Sequence, residues 1–261
     1  RLCCKKLDCC LPLWTDTDQA SQQTRANIGK LSKKKMKTRL SDEKTTQKNR
    51  SRDQQSVLML ERNRGKVGRG YKVNRLYSPW SGARKIVRES FDLEGDSIAS
   101  LDLRAAQPTL MAALANDEKM LSDCQADTFY EGLADFIGAK RDDAKSSFYA
   151  YSFGPIRNVG TKQPQALEVQ TWMRANYPRT AMFVDSKKQH DYRKFAREMQ
   201  NLEALIFVDG IFRELTEKGL TTLTVHDSIY FREQDQEQAT ETAIKHLNKH
   251  IKGGVYHLEH E

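Results

Sequence analysis

No stretch of this chain approaches the roughly 20 consecutive apolar residues that a helix needs to cross a bilayer, so a helical membrane span is excluded and no membrane partner is expected. The N-terminus lacks the basic, apolar and small-residue succession of a signal peptide, and the expected location is the cytoplasm, that of the host if the chain is viral. Opening on Arg1 rather than Met is what a processed or excised piece of something longer would do. Cysteine is scarce and badly distributed for disulfides: Cys3, Cys4, Cys9, Cys10 and Cys124 are odd in number, and four of them crowd into ten residues. A secreted disulfide framework is therefore excluded. The two CC pairs offer thiolates to zinc, but neither C-x2-C spacing nor a nearby His accompanies them, and a frayed or partner-bound terminus is the better reading. No internal repeat is visible.

What remains is a polar, basic chain. Of its 261 residues 38% are hydrophobic and 30% charged, enough to bury one large core or two small ones beneath an extensive polar surface. The net charge of +8 conceals an asymmetry. Arg25 to Arg88 holds 20 Lys and Arg against four acids, which leaves the remainder at −8. A basic first third joined to an acidic remainder suits a protein that grips phosphate with one part and uses carboxylates in another. A solvated tail accounts for Lys33-Lys34-Lys35 and the polar stretch to Gln55 equally well. It accounts less well for Arg62 to Arg88, where Tyr71, Tyr77 and Trp80 alternate with Arg69, Lys72, Arg75 and Arg84. Aromatics among cations serve base stacking and phosphate neutralisation, or else anchor a core.

Along the chain, residues 1–20 form a Cys-rich lead and 21–70 a basic arm. SIASLDL, 97–103, reads as a buried strand ending at Asp102, and the helix that follows carries Pro108 in its first turn. Further helices are expected over 140–153, stopped by Gly154-Pro155, over 165–175, over 191–218 and over 234–251. LTVHDSIYF, 223–231, reads as strand, turn, strand with Asp227 at the bend. Helices inserted between few strands indicate an α+β fold with a small antiparallel sheet.

Two strand-end carboxylates, Asp102 and Asp227, suggest a shared metal pair if their strands are neighbours. Two divalent ions activate an attacking oxygen and stabilise the leaving one in phosphoryl transfer, and Mg²⁺ takes most of its octahedron from water and phosphate. Turn chemistry alone also explains an Asp at a hairpin tip. Between them, Arg141, Lys145, Tyr149 and Phe153 recur every four residues, a stripe that drifts by only ~40° per step around a helix. Two cations suit a triphosphate, and two aromatics suit a base and sugar. A salt-bridged surface helix with a buried aromatic end is the plainer account.

With these motifs in this order, residues 70–235 resemble the palm and fingers of family A polymerases, the group of DNA polymerase I-like enzymes and phage-type single-subunit RNA polymerases. SLDLRAAQPTLMAAL resembles the family's first motif, Arg141 to Gly154 its fingers helix, VHDS its third motif, and NRLYSP the segment whose Arg meets primer-template. The resemblance implies a palm over 71–261 with reduced helical fingers inserted at about 118–190, and makes 21–70 a candidate reduced thumb. It implies Asp102, Asp227 and the Leu103 carbonyl as ligands of two Mg²⁺, with Mn²⁺ as the alternative ion. Gln107, Arg141, Lys145, Tyr149 and Phe153 would bind the nucleoside triphosphate, Lys145 also acting as acid, and Arg75 and His226 would touch primer-template DNA. The implied activity is a template-directed DNA polymerase of phage, plasmid or mobile-element type. The N-terminal part is short for a proofreading exonuclease and shows no evident acidic cluster, and a full thumb is hard to find, which leaves room for an accessory subunit or a missing N-terminal segment.

Three positions depart from DNA-making members. Gln107 stands where they carry Glu, Phe153 where they carry Tyr, and Ser228 follows the third-motif Asp in place of Glu. A Phe ring cannot make the hydrogen bond that a Tyr hydroxyl makes, so an RNA polymerase or primase remains a rival. A polymerase-derived replication protein that binds nucleic acid without synthesis is the second rival. Glu203 and Gln200, on the long helix before the hairpin, face either template or solvent.

Overall fold

The computed structural model describes residues 17–33, 47–62, 66–70, 72–155 and 165–260. Cys3, Cys4, Cys9, Cys10 and Tyr71 lie outside that set, and so does Lys34-Lys35. In chain order the elements are α1 (Thr17–Ile28), β1 (Leu31–Lys33), α2 (Gln47–Glu61), β2 (Gly68–Arg69), β3 (Leu76–Tyr77), α3 (Pro79–Gly82), α4 (Lys85–Arg88), β4 (Phe91–Leu93), β5 (Ile98–Leu103), α5 (Ala106–Ala115) and α6 (Glu118–Gln125). They continue with α7 (Phe129–Ile137), α8 (Arg141–Phe153), α9 (Gln165–Asn176), α10 (Pro178–Ile206), a π-helical stretch Phe207–Phe212, α11 (Arg213–Glu217), β6 (Leu223–Val225), β7 (Ser228–Arg232), α12 (Gln236–Leu247) and β8 (Leu258–His260). The fold is α+β with small antiparallel sheets, as the sequence leads one to expect. Among the described residues no helix is long and apolar enough to cross a membrane.

The chain divides into two compact units. The first comprises residues 1–102, 201–246 and 260–261. Here β5, β7 and β6 lie side by side, all antiparallel. The core gathers Ile28 of α1, Val57 and Leu60 of α2, Trp80, Val87, Phe91, Leu93 and Leu223. The described part of the basic arm is thus built into this unit: Asn27 donates to the Thr222 carbonyl at 2.7 Å, and Lys30 to Thr221 Oγ1 at 2.8 Å. Trp80 follows from its local sequence. Ser78 and Ser81 cap each other's backbone amides with Pro79 in the first turn, a reciprocal capping box that turns the indole into the core, where it is 0% exposed. Of the two readings of Trp80, core anchoring is the one the fold adopts.

The second unit comprises residues 103–200 and 247–259. Its centre is Phe129, ringed by Tyr130, Phe148, Trp172 and Tyr177 at centroid separations of 5.1 to 5.6 Å. Buried Asp117 caps α6 through the Met120 amide and also accepts from the Thr180 amide and hydroxyl. α8 ends where expected. A Cβ at position 154 would run into the Ala150 carbonyl oxygen, and the buried Lys188 ammonium donates to the Tyr151 carbonyl, a cation at a helix C-terminus. Burial lowers that lysine's pKa to about 8. Cys124 is buried, which pushes its thiol up to about 12.

The long helix starts earlier than expected, while the helical run ends at Glu217, where expected. It begins at Pro178 and is interrupted at Asp191, whose φ of −165° and ψ of 104° leave the helical region. Asp191 Oδ1 accepts from the Arg193 amide at 2.9 Å, so the residue caps the segment that follows. Beyond Ile206 the backbone widens into the π-helical stretch, where Gly210 lies so close to His246 that a Cβ would fall 2.6 Å from its Nδ1.

Candidate active site

Antiparallel pairing of β5 with β7 decides which carboxylates meet. The register sets Asp102 opposite Ser228. Asp227 immediately precedes Ser228, so the two acids stand at the same end of neighbouring strands about 5 Å apart. Only His226 and Asp227 join β6 to β7, with Val225 paired to Ser228. So tight a link drives His226 to a φ of +54°, a region that His, Asn and Asp enter more readily than most residues. Turn chemistry and presentation of an acid are therefore both realised at this bend.

Neighbours orient these acids. The Ser228 hydroxyl donates to Asp102 Oδ1, and Thr224 Oγ1 donates to the Ser228 carbonyl at 3.1 Å. Burial first, then the charges of Glu203 and Asp102, push the Asp227 carboxyl up to about 7, against the pull of its own amide and Arg75. Both Asp102 and Asp227 are only half-buried, so solvent reaches them.

Arg75 stands just before β3. Its Nε and Nη2 each lie 2.8 Å from one oxygen of Glu203, a bidentate fork. Glu203 is 1% exposed, so neither a template-facing nor a solvent-facing position is correct for it. The sequence held the signal: Met199, Leu202, Glu203 and Ile206 share one helical face, and an acid on a buried face requires a cation. Gln200 is half-buried. His226 is kept neutral, its pKa lowered by burial and then by Arg75. Its Nδ1 is buried with no hydrogen-bond partner among the described residues, and its ring meets Tyr77 edge-on at 6.3 Å. Other arginines of the basic stretch are likewise committed: Arg69 pairs with Asp209, and Arg84 with Asp53 at 2.8 Å.

Among the described residues no group of three or more His, Cys, Asp or Glu is placed to hold a metal. The pair Asp102 and Asp227 falls below that count and still fits Mg²⁺ or Mn²⁺, hard ions that draw their other ligands from water and phosphate. Leu103, which ends β5, is buried and begins the second unit.

The remaining candidates belong to the second unit. Gln107 is buried in α5. On α8, Arg141 reaches Asp127 at 2.7 Å and Glu131 at 2.6 Å, partners the sequence did not reveal, while Lys145 is exposed. The Tyr149 and Phe153 rings lie 5.8 Å apart, and Phe153 lies 5.8 Å from Phe195. The stripe therefore exists as a helix face with an engaged and an exposed cation followed by two half-buried aromatics.

No protein-family model matches the sequence, and no curated protein matches it. Among solved structures, the fold is similar to the POL domain of Pol1 from M. smegmatis, in complex with DNA primer-template and dNTP. The TM-score is 0.54 at 12% sequence identity, over 82% of this chain and 51% of that one. This chain spans about half the length of that structure. At such an identity the likeness establishes the fold: an α+β architecture of polymerase type.

Proposed function

We propose that the chain is a template-directed DNA polymerase that transfers a nucleotide to a primer 3′-hydroxyl, with primer-template DNA and nucleoside triphosphates as partners. The observation that carries this reading is the β5–β7 register, which sets Asp102 and Asp227 together within a fold of polymerase type. Asp102, Asp227 and the Leu103 carbonyl are the proposed ligands of two Mg²⁺ or Mn²⁺. When bound, such ions supply Lewis acidity, making the hydroxyl nucleophilic and offsetting charge on the pyrophosphate. Ser228 holds the Asp102 carboxylate in one rotamer. Arg75, braced on Glu203, and neutral His226 border the primer end. Arg141 and Lys145 hold the triphosphate, and Lys145 gives a proton to the leaving pyrophosphate. Tyr149 and Phe153 stack on the incoming base, while Gln107 fills the space beside its sugar. A compact phage, plasmid or mobile-element enzyme is the proposed type, with an accessory subunit or further N-terminal segment completing its grip on duplex.

Primer extension with Mg²⁺, run separately with deoxyribonucleotides and ribonucleotides beside Asp227→Ala, tests the proposal. Deoxyribonucleotide extension that the variant loses is the expected result. Ribonucleotide extension favours an RNA polymerase or primase, a reading supported by Gln107 and Phe153 standing where a Glu and Tyr pair would select the sugar. Salt-sensitive binding without extension leaves a nucleic-acid-binding replication protein.

A further inference from the structure

Lys188 occupies a position that α10 otherwise gives to apolar residues. Ala181, Val184 and Lys188 follow one another at helical spacing before the break at Asp191, so they share one face, and all three are buried, Lys188 at 4% exposure. An ammonium there is costly unless a partner meets it. The cost is visible in its pKa, lowered to about 8 by burial against the partial relief of Asp185. Around it, Asp185 stands one turn earlier on α10, held by Arg174 of α9 at 2.7 Å and by Gln170 at 3.4 Å. Lys187 turns to Glu198 at 3.0 Å, and α8 presents the Tyr151 ring, its centroid 5.1 Å from the Lys188 Nζ.

The partner is a carbonyl that the sequence leaves without an amide. A helix ends with carbonyls that have no donor within it. On α8 the Gly154 amide closes on the Ala150 carbonyl at 2.9 Å, the next donor of the ladder would be residue 155, and Pro155 has no N–H. The proline also holds Gly154 in extended backbone, at φ −85° and ψ 162°. Tyr151 is wholly buried, so water does not replace the missing amide. Lys188 supplies the donor from another helix, with a charge that suits a helix C-terminus. This end of α8 carries the aromatic half of the stripe: Tyr149 and Phe153 flank Tyr151 in sequence, and the Phe153 ring packs on Phe195, beyond the break in α10. The last turn is thus held from α10 by Lys188 before Asp191 and by Phe195 after it.

We propose that Lys188 is a positioning residue for nucleotide binding, its ammonium fixing the last turn of α8 through the Tyr151 carbonyl and so setting where Tyr149 and Phe153 meet the incoming base. The proposal rests on the polymerase reading for the presence of a nucleotide on that face. Stability alone does not account for the arrangement, because a buried charge stabilises less than an apolar side chain of its size, whereas it specifies one geometry. A last turn formed only part of the time weakens apparent nucleotide affinity by that fraction. The weakening sets in as pH rises through the lysine's own value of about 8, since the hydrogen bond then loses its charge and about half its strength.

The test measures kcat and KM for a single deoxyribonucleoside triphosphate on primer-template with Mg²⁺, using the full chain, at about pH 7 and about pH 9, either side of the lysine's value. Lys188→Met, which keeps the length and removes the donor, should raise KM about tenfold at the lower pH with kcat little changed, the low end of what a hydrogen bond to a charged group contributes. The parent's KM should climb severalfold between the two pH values, while that of Lys188→Met stays high and level. Lys188→Arg, whose guanidinium stays charged throughout, should keep a low KM at both. Hydrogen exchange, followed without DNA or nucleotide, should show about tenfold less protection for Lys188→Met at the amides of the last turn of α8 and little change in α6 and α7. If melting shows Lys188→Arg to be unfolded, Lys188→Met and the parent's profile decide. If it shows Lys188→Met to be unfolded, Lys188→Gln, which keeps an uncharged donor, takes its place and should raise KM at the lower pH alone. A folded Lys188→Met with the parent's KM, a pH dependence that parent and Lys188→Met share, or protection lost equally across the second unit's helices would overturn the proposal. An unmodified protein that extends no primer removes the polymerase reading and this proposal together. Extension with a KM indifferent to Lys188 removes this proposal alone.

Discussion

Replacing Asp227 with Asn should stabilise the metal-free protein while abolishing its turnover. The carboxyl is pushed from an ordinary value of 3.8 to about 7, chiefly by burial and then by the charges of Glu203 and Asp102. Three pH units at ~1.36 kcal/mol each set a dry limit of about 4 kcal/mol. Because Asp227 is only half-buried, solvent screening reduces this to ~2 kcal/mol. The folded value exceeds the unfolded one, so between about pH 4 and 7 the folded chain keeps a proton that the unfolded chain releases. Stability from this group therefore falls as pH rises through that window, with no cost below it and the full cost above it. Asn occupies the same volume without the charge. Melting at pH 8 in chelator should place Asp227→Asn above the parent by roughly 4–8 °C, and the difference should vanish near pH 4. Added Mg²⁺ should then raise the parent's melting temperature, by ~2.7 kcal/mol of stability at 100 times its dissociation constant, and leave the variant unmoved. A variant that melts below the parent at pH 8 in chelator, or that keeps the Mg²⁺ response, would refute the reasoning.

Three further outcomes are expected. Arg75→Met should cost about 3 kcal/mol in chemical denaturation by stranding buried Glu203, and adding Glu203→Leu should restore most of it; a single variant at parental stability would show that the fork contributes nothing. Gln107→Glu combined with Phe153→Tyr should raise discrimination against ribonucleotides at least tenfold in kcat/KM ratios, the worth of one charge-assisted hydrogen bond at ~1.5–3 kcal/mol, whereas either change alone should do less. Asp127→Asn with Glu131→Gln should release Arg141 and lower the nucleotide KM severalfold at unchanged kcat, and a KM that stays level would mean that the ion pairs do not compete with triphosphate.

The parts of the site that are local in sequence were legible. The strand ending at Asp102, the two-residue bend at His226-Asp227 and α8 from Arg141 to Phe153 each follow from a short pattern closed by its own stop signal. Pairings between distant segments were not. Nothing in LTVHDSIYF says that β7 rather than β6 neighbours β5, and that choice is what brings Ser228 onto Asp102. Arg141 read as a cation for phosphate because Asp127 and Glu131 come from another element, with Asp127 in a left-handed turn at φ +56°. Trp80 and Glu203 were readable in principle. The Ser78 to Ser81 capping box marks a helical turn, and the apolar neighbours of Glu203 mark its face as buried. Charge counts misled for a physical reason: a net balance of +16 over Arg25 to Arg88 does not distinguish solvated arginines from those, such as Arg69 and Arg84, that are consumed by ion pairs.

Those ion pairs explain how so slight an element as β2–β3 can position anything. Strands of two residues each cannot hold a hairpin by themselves. Here the hairpin is fixed instead to the helical segment leading into β6, through Arg69 to Asp209, the Asn74 amide to Asn201 Oδ1 at 2.9 Å, and Arg75 to Glu203. Burial makes such pairs poor stabilisers compared with apolar contacts of the same size, but they specify one geometry. Arg75 is therefore a fixed charge beside the His226-Asp227 turn. It opposes the rise in the Asp227 pKa and lowers that of His226, so one guanidinium favours an ionised acid and a neutral base at adjacent residues. Loss of Arg75 should consequently shift both groups upward, and a pH profile of turnover would move toward alkaline pH even in a variant whose stability had been restored at Glu203.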